Sequence, residues 1–475
     1  MRMRNYRSLL FTLIICLIIA PSSLARPLPL TSPDKLRYPA LDFKPPQAER
    51  VVLENGLIVY ILEDHELPLV NIYSITKTGG YFDPEGKEGL AELTGKIMRT
   101  GGTKNSSGSA IDETLESLAI NISVAAQMES CTVGFSSLKN NLEKGVEIFS
   151  QIMMRPVFAD DKLQLAKNLK MEELRRISDD AQQFAFREFN RVLYRGNPRG
   201  RLASLASVER ITRLDLQQFH QRHFIPDNTM MAITGDITKN EALALLKKHF
   251  GHWQKKGIKF EIPPPATKLK SAVYYLPKNV PQSVIVTGTF APAKNHADFF
   301  PFTVLDFILG SGGFRSHIFQ EIRTNQGLAY SAGSFYRARE NYGVFGTYAM
   351  TKSATTGKVL SLLRSISEKA RQAPFRAAEV ALAKKSINNS FIFSFSSPEQ
   401  IAKQQLMLEF DRLPKNYLEK YQDNIGRVTS EELLKVGRHY LNSGETVTLV
   451  MGSDKDFDQA LSSFGTVEKL QVNND

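Results

Sequence analysis

Val208-Glu209-Arg210-Ile211-Thr212-Arg213-Leu214-Asp215-Leu216 has a counterpart 217 residues further on, Ile425-Gly426-Arg427-Val428-Thr429-Ser430-Glu431-Glu432-Leu433. Each stretch places a Thr three residues before an acid, the pattern of a helix-opening capping box. Each leads through a helical pattern to an apolar strand, Met230–Thr234 in one case and Thr446–Met451 in the other, and the same offset carries Gly235 onto Gly452. One matched box is a coincidence; a shared box, helix, strand and glycine at one spacing is a duplication. The chain therefore reads as two homologous halves.

Consecutive prolines in Ile262-Pro263-Pro264-Pro265 cannot continue a helix or a central strand. They place a linker at 259–271, between a first half at 26–258 and a second at 272–475. In the first half, Arg50–Glu54 and Leu57–Ile61 flank Asn55-Gly56, a type I′ hairpin pair. A strand is expected near Leu69–Lys77. Helical periodicity covers Glu88–Thr100, with Leu90, Leu93, Ile97 and Met98 on one side. Ser109-x-x-Asp112 resembles a further capping box. Strands follow near Ile120–Ala126 and Cys131–Ser137, then helices over Leu142–Met154 and Asp160–Tyr194. Strands mixed with long helices in each half predict an α+β fold, each half an antiparallel-rich sheet covered by helices on one face.

Of 475 residues, 42% are hydrophobic and 23% charged, an ordinary globular balance. Arg2, Arg4 and Arg7 precede an apolar run of about a dozen residues, Leu9 to Ala20, and Ser23-Leu24-Ala25 supplies small residues before a cleavage point. We expect a leader at 1–25, cut after Ala25, and an exported protein with no transmembrane anchor once the leader is gone. Cleavage removes three Arg, so the formal charge falls from +11 to about +8. The cations are scattered and no nucleic-acid motif accompanies them. One cysteine then remains, Cys131, in an alternating apolar run; it reads as a buried strand residue, and no disulfide is available.

Two segments carry a family resemblance. Gly89-Leu90-Ala91-Glu92-Leu93-Thr94-Gly95-Lys96-Ile97-Met98, followed by Gly101-Gly102-Thr103, is similar to the helix bearing the inverted zinc motif H-x-x-E-H of the insulinase/pitrilysin (inverzincin) peptidases. Leu309-Gly310-Ser311-Gly312-Gly313-Phe314, Phe319-Gln320-Glu321-Ile322-Arg323 and Gly327-Leu328-Ala329-Tyr330-Ser331 resemble the signature of that family's second half. Phe224-x-Pro226-x-Asn228 before Gly235-Asp236 fits the end of its first half. The resemblance spans nearly the whole chain after the leader and implies a clamshell of two halves.

The metal residues depart from the family pattern. A catalytic zinc takes about three protein ligands, and two His at i and i+4 share one helix face. Here Glu92 and Lys96 stand at the two His positions, and Gly95 stands where the general base belongs. The family's third ligand is a Glu roughly 77 residues after the motif; Glu173 falls there. It reads either as a remnant of that ligand or as an exposed residue of a charge-rich helix. No zinc is expected in this chain. Glu four residues before Lys favours a Glu92–Lys96 ion pair, worth about 0.2–0.5 kcal/mol when exposed. His220-x-x-His223, His249 and His252 read as ordinary helix residues.

Arg323 and Tyr330 match the family's Arg and Tyr, and the resemblance implies that they hold the peptide backbone and steady the attacked carbonyl. Arg offers a planar fork of donors and Tyr a hydroxyl donor, so both suit that work. The Gly-rich loop lacks the Lys-Ser/Thr of a P-loop. The strand Ile120, Asn121, Ile122, Ser123, Val124, Ala125 matches the edge strand on which the family's substrates add as an extra strand. Some members divide the labour, one chain holding H-x-x-E-H and the other the Arg/Tyr pair. The expectation is a non-catalytic, substrate-positioning subunit of an exported, periplasmic zinc peptidase. Its homologous partner would hold the zinc, and its substrate would be a peptide. Two alternatives stand beside it: a peptide-binding or assembly protein with no role in hydrolysis, and a self-sufficient enzyme with rearranged ligands.

Overall fold

The computed structural model describes residues 43–265 and 269–471; the expected leader lies outside them. Two six-stranded sheets form the frame. The first contains β1 (Glu49–Val52), β2 (Ile58–Glu63), β3 (Leu69–Thr76), β4 (Asn121–Ala126), β5 (Cys131–Leu138) and β6 (Thr229–Gly235), in the order β1-β2-β6-β3-β5-β4. The second contains β7 (Ala272–Pro277), β8 (Gln282–Ala291), β9 (Ala329–Ala338), β10 (Gly343–Lys352), β11 (Val447–Gly452) and β12 (Val467–Lys469), in the order β12-β7-β11-β8-β10-β9. In both, one parallel pair sits among antiparallel ones: β2 with β6, and β7 with β11. In the second sheet the outer strand β12 also runs parallel to β7. The duplication read from the sequence is thus a duplication of topology.

Six helices bear on the candidate sites and on the contact between the halves: α1 (Leu90–Thr100), α2 (Asp160–Arg176), α3 (Ala181–Leu193), α4 (Arg213–His223), α5 (Pro398–Phe410) and α6 (Ser430–Tyr440). The repeated boxes open α4 and α6: Thr212 and Asp215, then Thr429 and Glu432, exchange side-chain and backbone bonds in both directions. The other expected box is displaced, because Ser107 and not Ser109 caps the helix Gly108–Ser117. The helical pattern over Asp160–Tyr194 is broken at 177–179, and Asp180 caps the new helix α3. The β1–β2 turn also differs from a type I′ pair. Only Gly56 has a positive φ, +88°, and Leu53 accepts from the Gly56 N–H. Asn55 instead donates to Phe250 O and Trp253 O, tying the turn to the body of the first half.

Each sheet buries one face under helices of its own half and the other under a helix from the opposite half. Along β2, Val59 and Ile61 enter the first half's core while Tyr60 faces the other way, onto Ala402 and Leu406 of α5. Along β7, Val273 and Tyr275 face their own helices, and Tyr274 and Leu276 face Phe184, Ala185 and Phe189 of α3. Burial on both faces explains the unbroken apolar runs of these strands. Gly288 on β8 makes room for the exchange, since a Cβ there would stand 2.4 Å from the Phe189 ring.

Candidate functional site

Helix α1 is fixed at its start by Asp83, whose two carboxylate oxygens accept from the backbone N–H groups of Gly89 and Ala91, both at 2.8 Å. Burial pushes the Asp83 carboxyl up to about 7, against the pull of these two donors. Leu90, Leu93, Ile97 and Met98 seat the helix in the core, which leaves Glu92 and Lys96 on its exposed side. Gly95 lies against β4, where a Cβ would come within 3.3 Å of Val124 Cγ1 and 3.6 Å of Cys131 Sγ. A side chain at position 95 would sit in tight contact with the strand behind it.

Glu92 does not pair with Lys96. Its Oε2 accepts from Lys170 Nζ of α2 at 2.8 Å, and the same ammonium reaches Glu173 Oε1 at 2.8 Å. Lys170 wins because it approaches from a packed neighbouring helix with a side chain only 11% exposed, whereas Lys96 extends into solvent and forms no ion pair among the described residues. Burial pulls the Lys170 pKa down, but the carboxylates of Glu92 and Glu173 outweigh it and hold the ammonium above the ordinary lysine range. The fold thus brings Glu92 and Glu173 together and places Lys170 between them. These residues do not fit a catalytic zinc: Glu92 and Glu173 are joined by a fixed cation, and Lys96 is itself a cation. Among the described residues no three His, Cys, Asp or Glu side chains are gathered as a metal site.

The histidines are occupied elsewhere. His220 donates through Nε2 to Met153 O at 2.9 Å and stacks on Phe224. Burial lowers its pKa to about 4. His223 packs among Phe219, Phe82 and Phe260, and burial lowers it to about 3. His249 bonds Glu143 at 2.8 Å.

Strand β4 is the outer edge of its sheet, paired with β5 alone. Asn121, Ser123 and Ala125 are exposed along it, while Ile122 turns into the core. Ile120 precedes the strand and is buried. Arg99 of α1 donates to Ile122 O at 3.2 Å, so one acceptor of the strand is already engaged.

In the second half, β9 is the equivalent edge. Its pairing with β10 slips by one residue: Met350 faces Ser331 and Thr351 faces Ala329. Tyr330 is the extra residue of this β-bulge, a device that re-aims a side chain, and it is 80% exposed. Arg323 lies on the π-helical turn Phe319–Asn325. Its Nη1 donates to Tyr330 O at 3.1 Å, and its guanidinium stands 4.8 Å from the ring centroids of both Phe319 and Tyr330. Phe314, at the end of the Gly-rich loop and 72% exposed, meets Phe319 edge-on. The arrangement is an exposed Arg held between two rings, with a Tyr hydroxyl beside it.

Sequence reasoning missed Lys170, although its i,i+3 spacing to Glu173 was visible. It also missed Arg199, which is almost fully buried. Arg199 bonds Glu129 at 2.5 Å, the Tyr342 hydroxyl of the second half at 3.1 Å and Pro263 O of the linker at 3.0 Å. It lies between the rings of Tyr81 and Tyr342.

Residues 59–204 match the family described as Insulinase (Peptidase family M16), and residues 210–387 match the Peptidase M16 inactive domain. An uncharacterized zinc protease of Mycobacterium tuberculosis is 25% identical over 331 residues, 68% of this chain and 75% of the relative. The non-peptidase homolog YmxG of Helicobacter pylori is 25% identical over 311 residues, 64% of this chain and 70% of the relative. In three dimensions the chain is similar to the peptidase M16 inactive domain structure from Pseudomonas fluorescens, with a TM-score of 0.79 at 22% identity, covering 90% of this chain and all of that one. The chain belongs to the M16 insulinase family, and its sequence contains no H-x-x-E-H.

Proposed function

We propose that this chain is the non-catalytic, substrate-positioning subunit of an exported two-chain zinc peptidase, with the metal held by a homologous partner that carries H-x-x-E-H. The observation that carries the reading is the asymmetry between the two candidate sites. Glu92 and Glu173 are tied up in an ion pair with Lys170. The Arg/Tyr position, by contrast, is presented to solvent: a bulge turns Tyr330 outward and stacking holds Arg323 beside it. In that role the Tyr330 hydroxyl and the free guanidinium N–H groups would donate to the peptide carbonyl as it gains charge. The basic and apolar pattern of residues 2–25 supports export and fits a periplasmic setting. No helix among the described residues is long and apolar enough to cross a membrane.

The test is peptide hydrolysis by this chain, by a secreted H-x-x-E-H homologue, and by the mixture, with zinc measured in each. Cleavage by the mixture alone, lowered about 100-fold or more by Arg323→Ala, is the expected result. A homologue fully active by itself and indifferent to this chain would overturn it.

A second reading, a peptide-binding protein with no part in hydrolysis, is favoured by the open edge of β4. An extended peptide can add there through backbone bonds whatever happens at Arg323.

A further inference from the structure

The last turn of α2, directly after Glu173, borders a cavity of about 440 Å³. Arg175, Arg187 and Arg191 line it, and Glu188 is the one carboxylate among its described lining residues. A second cavity of about 430 Å³ shares Arg191 and adds Arg195, Arg201 and Glu85. Glu172 holds Arg175 and Glu468 holds Arg195 through both Nη groups, so among the described residues Arg201 is the lining arginine with no ion pair and Arg191 the one with a free fork.

Glu188 does not quench this charge; it aims it. Its side chain is 7% exposed, and its two oxygens take Arg187 Nη1 at 3.1 Å and Arg191 Nε at 2.6 Å. Arg187 is further tied to Ala203 O at 2.8 Å. Arg191 is anchored only through Nε, so its paired Nη groups, the fork that grips a carboxylate in bidentate fashion, make no other hydrogen bond among the described residues. Burial holds the Arg187 pKa below the ordinary guanidinium range, so a nearby anion relieves an unfavourable charge. Leu174, Ile177, Phe184 and Leu205 give the first cavity an apolar floor suited to the methylenes of a side chain.

We propose that these adjoining cavities form a subsite for an acidic segment of a bound peptide, with Arg191 gripping one carboxylate and Arg201 the next. Two cavities in a row, joined at one arginine, suit an extended chain with several carboxylates. The inference rests on the peptide-binding part of the function proposed above.

Binding is read by fluorescence anisotropy on the full chain alone, with a short labelled poly-glutamate peptide and its poly-glutamine counterpart. The poly-glutamate peptide is expected to bind at least tenfold more tightly, and Arg191→Gln is expected to erase most of that preference. Arg201→Gln, in the second cavity, should weaken binding severalfold and guards against a folding defect in the first variant. Arg376→Gln, at an 84% exposed arginine elsewhere, removes the same charge and should change nothing. Equal binding of the two peptides, or equal loss in Arg376→Gln, overturns the proposal. So does displacement of the probe by inorganic phosphate at concentrations no higher than the peptide itself requires, which would mark a small-anion site. Poly-glutamate binding that survives all three substitutions unchanged would sink the acidic subsite and leave the proposed function standing.

Discussion

At the scale of single residues, Lys170 decides what the altered metal helix has become. Its ammonium neutralises two carboxylates that would otherwise repel each other, yet both glutamates are half exposed, so water and salt screen most of the gain. Lys170→Met should therefore cost only about 0.5–1 kcal/mol at low salt, less at high salt, and Glu92→Gln in the same chain should recover most of it. Urea melts of the four species in a double-mutant cycle measure this; a cost unchanged by salt would point to lost packing. His220 makes a sharper prediction. The folded chain holds it neutral, with a pKa near 4 against 6.5 when unfolded. The unfolded state thus takes up the proton first as pH falls. The stability it contributes is complete above about pH 6.5 and is lost as pH drops toward 4, at up to about 1.4 kcal/mol per pH unit. His220→Gln keeps a donor for Met153 O but cannot titrate. The stability of the native chain relative to this variant should fall across that window, as denaturation at a series of pH values would show; a flat difference would contradict a buried neutral imidazole.

At the scale of elements, the legible features were those written in contiguous residues. The repeated boxes at Thr212 and Thr429 announced α4 and α6 because a cap needs only a hydroxyl and an acid three residues later. Thr429→Ala should accordingly cost about 1 kcal/mol, measured as a lowered denaturation midpoint with an unchanged slope. The frame of α1 was equally plain from Leu90, Leu93, Ile97 and Met98. What could not be read depends on partners far along the chain. Nothing near Glu92 says that Lys170 arrives from another helix and outcompetes Lys96. The bulge at Tyr330 exists only relative to β10, so no local pattern marks it. Asn55-Gly56 looked like a two-residue turn, yet the Asn55 side chain is drawn to carbonyls at 250 and 253, and only Gly56 takes the left-handed conformation.

At the scale of the whole molecule, the halves are homologous in topology but not independent in stability. Phe184 and Phe189 of the first half complete the second sheet's core, and Ala402 and Leu406 of the second half cover the first sheet. Each fully buried Phe is worth about 1.5–3 kcal/mol, so neither sheet retains its second face if the other half unfolds. Arg50 and Tyr60 add bonds to Glu409 across the same boundary. Arg199 closes the other side, where the guanidinium, Glu129, Tyr342 and the linker carbonyl meet away from water. Removing a buried cation leaves its carboxylate unpaired, and Arg199→Met should cost about 3–5 kcal/mol, part of it returned by Glu129→Gln. Calorimetry should accordingly show one transition for both halves, and Arg199→Met should move that transition down as a unit. Two separate transitions in the native chain would mean that the exchanged helices do not couple the halves. A variant that melts one half alone would assign Arg199 to the first half's own packing instead.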